Sequence, residues 1–436
     1  MSLPETPAAP AAAAARNRAL AALFLAFALT HGVYRAGRAL FHYKQGVDFT
    51  PEYVAARMLA DHGDRRFYDL PVLEARGREL GLHGAEATDP VMNYAYPPWL
   101  PVAYVPISRL PWNAARKLWF LLGLAATLAG AALAAAAVAP VRAERRAYAL
   151  GGIAAACFYF PLFYGLMDGQ ANDLPLLGVA ACLFLLRENR PLAAGLALAP
   201  AAMWKIFPGF PAIFLLVRRE WRALGGLALG CAAIVLVSLP FVGIETWKDW
   251  IVYIKHHNEL DHVQIRNHGI LSNAMLLFQP NAVGDPIANA PALVRPVTIA
   301  LELLAAALAA CTLVRPAPRE SARYALGFGA TLVFACLSTP KSWEHYGIYL
   351  LPAFAALFAA AGTARRSPHL VALAVAGGAF AVWGLVFQVK DEYAALAHGW
   401  RVLLIPAKMY ASFAILAASA WLALRDEAPA PAEAAA

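Results

Sequence analysis

Long apolar runs separated by short polar turns are the dominant signal in this chain. A helix that crosses a bilayer core takes about 20 apolar residues, fewer where it is broken or packed inside protein. Runs of this kind fall at 19–35, 112–139, 148–166, 174–186, 192–204, 207–217, 224–242, 293–314, 324–338, 346–361, 370–387 and 402–424. A further stretch, YPPWLPVAYVPISRL at 96–110, is apolar but short and carries four prolines. It suits a re-entrant or half-crossing segment. The pattern predicts an all-α polytopic integral membrane protein of about twelve spans plus that segment. It forms a single transmembrane domain at 19–425, with a large first external loop at 36–95 and a later one at 243–292. The Pro/Ala-rich ends, 1–18 and 426–436, read as disordered tails.

Composition agrees with this pattern. Apolar residues make up 61% of the chain and charged residues 15%, with a mean hydropathy of +0.53. Soluble domains hold nearer 45–50% and 25%. The net charge of +8 implies no nucleic acid, because the arginines sit in short turns between apolar runs. With the N-terminus cytoplasmic and 96–110 returning to its own side, every basic turn falls on one face. These turns hold Arg142, Arg145 and Arg146; Arg187 and Arg190; Arg218, Arg219 and Arg222; Arg315, Arg319 and Arg323; Arg365 and Arg366; and Arg425. That is the positive-inside arrangement. The five cysteines all lie inside apolar runs, so neither a disulfide nor a metal cluster is indicated.

The opposite face collects the polar chemistry. Asp48 lies in GVDFTPEY, where Thr50 suits an N-cap, Pro51 the first helical position and Glu52 the first turn. The stretch that follows reads as an amphipathic helix on the membrane surface, stopped by Gly63. Asp48 is either a turn aspartate or a functional carboxylate. Gln170 and Asn172, in MDGQAND, either cap a helix or hydrogen-bond a hydroxyl-rich ligand. Lys205 stands at a break between two short apolar runs, placed to snorkel or to meet an anionic phosphate. The turn STPKSWEHY brings Lys341, Trp343, Glu344, His345 and Tyr346 together. An interfacial aromatic belt accounts for Trp343 and Tyr346 but less well for His345. His256, His257, His262 and His268 match no zinc spacing, and no metal site is expected. The chain has no Walker loop, no G-x-G-x-x-G opening a helix and no D-x-D pair.

Taken in order, several segments resemble glycosyltransferase family 87, the polyprenol-phosphate-mannose-dependent mannosyltransferases and their relatives with the GT-C membrane fold. They are DF at 48–49, FYD at 67–69, YAYPPWLPVAYVP at 94–106, GQAND, AAMWKIFPG at 201–209, NHGILSN at 267–273 and STPKSWEHY. No one of these motifs is specific; their order on one predicted face carries the likeness, which runs from about residue 40 to 350. The resemblance implies transfer of a sugar, a hexose such as mannose, from a polyprenyl-phosphate donor to a glycan or glycolipid acceptor. It implies a cell-membrane enzyme, surrounded by lipid, working at the outer leaflet without a cofactor. Asp48 matches the family's catalytic base and His345 a second active-site position.

Chemistry supports those roles independently. A lipid phosphate leaves as a stable anion, so cations matter more than a strong acid. Lys205, Lys341, Arg266 and His345 are the candidates, with Gln170, Asn172, Tyr96, Asn273 and Trp343 as substrate-binding residues. A carboxylate on the opposite side would take the acceptor's proton and give inversion. Two rival readings stand beside this one. A transporter or flippase also suits broken helices and an intramembrane lysine, although the two halves show no repeat and the polar residues gather at one face. A catalytically silent relative that binds lipid or partners is the other.

Overall fold

Inside hydrocarbon every backbone amide must be satisfied within its own segment, and this chain does so with helices. The computed structural model describes residues 8–42, 47–82, 93–257, 263–362, 367–384 and 396–425. Among them the only β pairing is an isolated bridge between Asn267 and Trp343. The tail at 426–436 and the expected basic turn of Arg365 and Arg366 lie outside the described residues.

α1 (Ala8–His42) begins well before residue 18, so part of the expected tail is helical. Alanine has the highest helix propensity, and 11–15 is all alanine. α2 (Thr50–His62), α3 (Leu70–Glu79) and α4 (Trp99–Ser108) follow, then the long α5 (Trp112–Ala137). α4 has ten residues, roughly 15 Å at 1.5 Å per residue, about half of a 30 Å hydrocarbon core. The run 148–166 is not one straight helix. α6 (Arg145–Phe158) and α7 (Phe160–Asp168) meet at 63°, with Pro161 in the first turn of α7.

α8 (Asp173–Arg187), α9 (Pro191–Trp204) and α10 (Pro211–Val217) are short. α11 (Trp221–His257) carries the chain far into the expected loop 243–292, kinking at Gly243, whose φ of 76° only glycine adopts readily. α12 (Ile270–Phe278) adds a second helix there. α13 (Val294–Cys311), α14 (Ala322–Ser338), α15 (Leu351–Gly362), α16 (Ser367–Gly384) and α17 (Ala407–Arg425) complete the bundle. Among the described residues seven helical segments are long and apolar enough to cross a bilayer, or eight if the α6–α7 pair is one span. The remaining apolar runs form shorter helices.

The two ends of the bundle differ chemically. At one end the basic turns interlock. Arg145 pairs with Glu188, Arg319 with Glu220, Arg187 bonds the carbonyls of Glu320 and Ser321, and Arg218 those of Thr312 and Arg315. α8 and α14 each have one terminus in that cluster, and their other termini, Asp173 and Ser338, reach the opposite end.

At that opposite end α2 packs beneath α4 instead of lying free on a surface. Val54 and Met58 are buried, and so are Thr50, Glu52 and Ala55 on its other sides. Phe49 is the residue at the N-cap position, and no side chain caps the helix, so Thr50 does not act as the expected cap. Gly63 does end it, in the left-handed conformation, with its N–H on the carbonyls of Leu59 and Met58. Phe49 stacks on Trp112 and Trp119 at 5.8 and 5.2 Å between centroids. Stacked pairs of this kind add about 0.5–1.5 kcal/mol beyond their burial. They fasten the segment just after Asp48 to α5.

Candidate active site

A cavity of about 950 Å³ opens at the end away from the basic cluster. Four chain breaks supply its polar wall: the turn before α2, the α7–α8 turn, the α9–α10 break and the segment after α14. Asp48 enters from the first. Its backbone N–H donates to the Asp168 carbonyl at 2.8 Å, which ties the first loop to the end of α7.

Gln170 links the acidic and basic halves of the site. Its Nε2 donates to Asp48 Oδ2, while its Oε1 accepts from Lys205 Nζ at 3.0 Å and from the Tyr96 hydroxyl at 3.2 Å. Two donors face the amide oxygen and a carboxylate faces the nitrogen, so only one orientation of the amide fits. Asp48 Oδ1 accepts no hydrogen bond among the described residues. Lys205 also donates to Asn172 Oδ1 at 2.8 Å and lies over the rings of Tyr96 and Tyr346 at 5.1 and 4.8 Å. Those contacts suit a cation half withdrawn from water.

The electrostatics follow from partial burial. Desolvation raises the Asp48 carboxyl above its ordinary value, against the Gln170 hydrogen bond and the Lys205 charge, which pull it down. Desolvation also lowers Lys205 to about 8, although Asp48, Glu52 and Asp173 favour its charged form. The site thus holds a carboxylate made more basic and an ammonium made more acidic, bridged by one amide.

A second cationic group lies along the same cavity. Arg266 donates to the Tyr164 hydroxyl at 2.5 Å and sits over its ring at 4.8 Å. Tyr164 also lies beside the Asp168 carboxylate and stacks on His345 at 6.1 Å between centroids. Lys341, Trp343 and His345 line the wall beside them. His345 is buried, and neither ring nitrogen has a hydrogen-bond partner among the described residues. Buried polar groups are normally paired, so an imidazole in that condition stands out.

Of the expected site residues, the cavity brings together Asp48, His345, Lys205, Lys341, Arg266, Gln170, Tyr96 and Trp343. Two stand elsewhere. Asn172 lies behind the wall, with its oxygen on Lys205 and on the Tyr349 hydroxyl at 3.4 Å. It orients the lysine and does not face the cavity. Asn273 donates to the carbonyl of Gly269 at 2.8 Å, so its amide shapes the loop before α12 and lies outside the cavity lining. His268 packs against Glu344 and Trp383; His262 and the side chains of His256 and His257 lie outside the described residues.

The family shows in the sequence that builds this wall. The profile described as Glycosyltransferase family 87 matches residues 94–340, more than half of the chain, from Tyr94 beside the cavity to Pro340 on its rim. The chain belongs to glycosyltransferase family 87. Among its relatives is the polyprenol-phosphate-mannose-dependent alpha-(1-2)-phosphatidylinositol mannoside mannosyltransferase of Mycobacterium tuberculosis (strain ATCC 25618 / H37Rv). It is 24% identical over 376 residues, 80% of this chain and 83% of the relative. The protein of the same description from Mycolicibacterium smegmatis (strain ATCC 700084 / mc(2)155) is 25% identical over 342 residues, 74% of each chain. No solved structure matches. The protein is therefore a multi-pass membrane glycosyltransferase.

Around the cavity stand residues that the sequence did not single out as site candidates. Glu52 is 1% exposed, its carboxylate has no hydrogen-bond partner among the described residues, and burial pushes it well above the usual carboxylate range. It follows Asp48 by four residues, a spacing that could have drawn attention to it. Tyr164 and Tyr346 sit in apolar runs where an aromatic residue is unremarkable, and only their contacts with Arg266 and Lys205 set them apart.

Proposed function

We propose that this glycosyltransferase moves a hexose such as mannose from a polyprenyl-phosphate donor to a glycan or glycolipid acceptor, with inversion, at the extracytoplasmic leaflet. The observation that carries the reading is the shared cavity. Two half-buried carboxylates, Asp48 and Asp168, share it with Lys205, Arg266, Lys341 and the imidazole of His345, and Lys205 is held by amide oxygens and aromatic rings, with no carboxylate in direct contact among the described residues. The relatives act on a polyprenol-phosphate-mannose donor and a phosphatidylinositol mannoside acceptor by their descriptions, which supports the donor class and a glycolipid acceptor here.

In this mechanism Asp48 Oδ1 takes the proton of the acceptor hydroxyl as the acceptor oxygen bonds to the anomeric carbon. The bond from that carbon to the phosphate oxygen breaks on the opposite side, and polyprenyl phosphate leaves with the electron pair. Lys205, Arg266, Lys341 and a His345 N–H stabilise the negative charge as it grows on the phosphate. Tyr96, Gln170 and Trp343 offer hydrogen bonds and an aromatic face to the sugar. Asp48 is a better base for being partly desolvated, and Gln170 keeps it close to the cations without neutralising it. The extracytoplasmic assignment follows if the interlocked arginines mark the cytoplasmic end.

The test is incubation of membranes containing the protein with labelled polyprenyl-phosphate sugars, followed by isolation of the labelled product and determination of its anomeric configuration. Transfer with inverted configuration is expected. Absence of transfer from every lipid-phosphate sugar, together with solute uptake into proteoliposomes, would replace the enzyme reading with the transporter.

A further inference from the structure

The wall that carries His345 is backed by a charge pair outside the cavity. Glu344, the residue before His345, and Lys408 on α17 are each 1% exposed, and the Lys408 ammonium bonds Glu344 Oε1. The other carboxylate oxygen lies 3.8 Å from His268 Nε2. Two ions so far from water lose hydration that their mutual attraction does not reliably return, and apolar side chains of the same size would hold the helices together at least as well. The pair's value therefore has to be sought in what it positions.

Two routes lead from Lys408 to the cavity. The first runs through Glu344 into the turn Glu344–Leu350, whose backbone carries His345. The second runs through rings. Lys408 Nζ lies 5.5 Å from the centroid of Phe160, Phe160 stacks on Tyr164 at 5.7 Å, and Tyr164 holds Arg266 and stacks on His345. Trp383 closes the arrangement from α16, with its ring 5.5 Å from Lys408 and edge-on to His268. His345 has no hydrogen bond of its own to fix its ring, so its orientation comes from the turn's backbone and from these stacked rings.

We infer that Lys408 is a positioning residue for the donor phosphate, acting through Glu344 and the Phe160–Tyr164 stack on where His345 and Arg266 present their N–H groups. The inference rests on the phosphate-binding role proposed for those two residues. It assigns the last span of the bundle, far from the cavity in sequence, a part in donor binding.

The experiment compares the full-length wild type with K408M and with E344Q/K408M in lipid nanodiscs. It measures thermal stability, the KM and kcat for polyprenyl-phosphate mannose, and the affinity for unlabelled polyprenyl phosphate by competition. K408M strands a carboxylate and is expected to lose stability, so the double variant, which leaves no buried charge unpaired, carries the test. Positioning predicts that E344Q/K408M unfolds near the wild-type temperature while KM and the polyprenyl phosphate dissociation constant rise about 10- to 100-fold, the scale of a small misplacement of binding groups, with kcat within about threefold. If the double variant binds and turns over donor as the wild type does, the pair serves folding only, and if it loses kcat alone the pair acts on the chemical step; either result overturns the inference. A wild type that transfers nothing from the lipid donor would instead overturn the functional reading itself.

Discussion

In the proposed mechanism Asp48 and Lys205 have opposite protonation requirements, and a single amide joins them. In Asp48→Asn the shape and the Gln170 contact can survive while the base is lost. Transfer is expected to fall by about 10²–10⁴-fold, the usual contribution of a general base, with expression and thermal unfolding near wild type. Retained transfer would remove Asp48 from the mechanism. The pH dependence of kcat/KM is expected to be a bell. Asp48 must be deprotonated, so its acid limb lies above the ordinary aspartate value of 3.8, because burial raises the group. Lys205 must be protonated, so activity falls as pH rises through about 8. In Lys205→Arg the alkaline limb should disappear from that range, since guanidinium stays charged. A limb that does not move would assign it to another group.

At the scale of elements, the site depends on how closely short helices approach. α9 ends at Trp204, directly before Lys205, and lies against α11 through Gly195. A Cβ at Gly195 would stand 1.9 Å from the Ala223 carbonyl and 2.6 Å from the Leu227 amide, both backbone atoms that cannot swing aside. Gly195→Ala is therefore expected to cost at least about 1–3 kcal/mol, seen as a lower unfolding midpoint in detergent. Separation of α9 from α11 should also shift Lys205 and raise the donor KM. An unchanged midpoint would mean that the two helices can part without strain. The apolar pattern foretold α9 as a segment, but it carried no sign of this contact, because a glycine in an apolar run reads only as a small residue.

For the whole molecule, chemistry is divided between two ends. The interlocked arginine turns occupy one, and the cavity with its polar wall occupies the other. In a variant with the five native cysteines replaced, Thr339→Cys on the cavity rim should react with a membrane-impermeant maleimide in intact cells. Ser321→Cys in the basic cluster should react only after permeabilisation. Reversal of that result would put the cavity on the cytoplasmic side and require a donor presented there.

Apolar run length and arginine placement are properties of the linear chain. They made the membrane class, the half-length segment at 96–110 and the separation of polar from basic turns legible in the sequence. Most of the candidate cavity was legible too, since Asp48, Lys205, Gln170 and His345 are polar residues in an apolar setting, where polarity carries a cost and needs a reason. Other features were not. Whether Asn172 and Asn273 meet substrate or backbone depends on which neighbours take their hydrogen bonds. The bend between α6 and α7 and the continuation of α11 past Gly243 depend on what the helices pack against. The Lys408–Glu344 pair joins residues 64 positions apart. Burial and partnership are decided by contacts between segments distant in the chain, and local pattern holds no record of them.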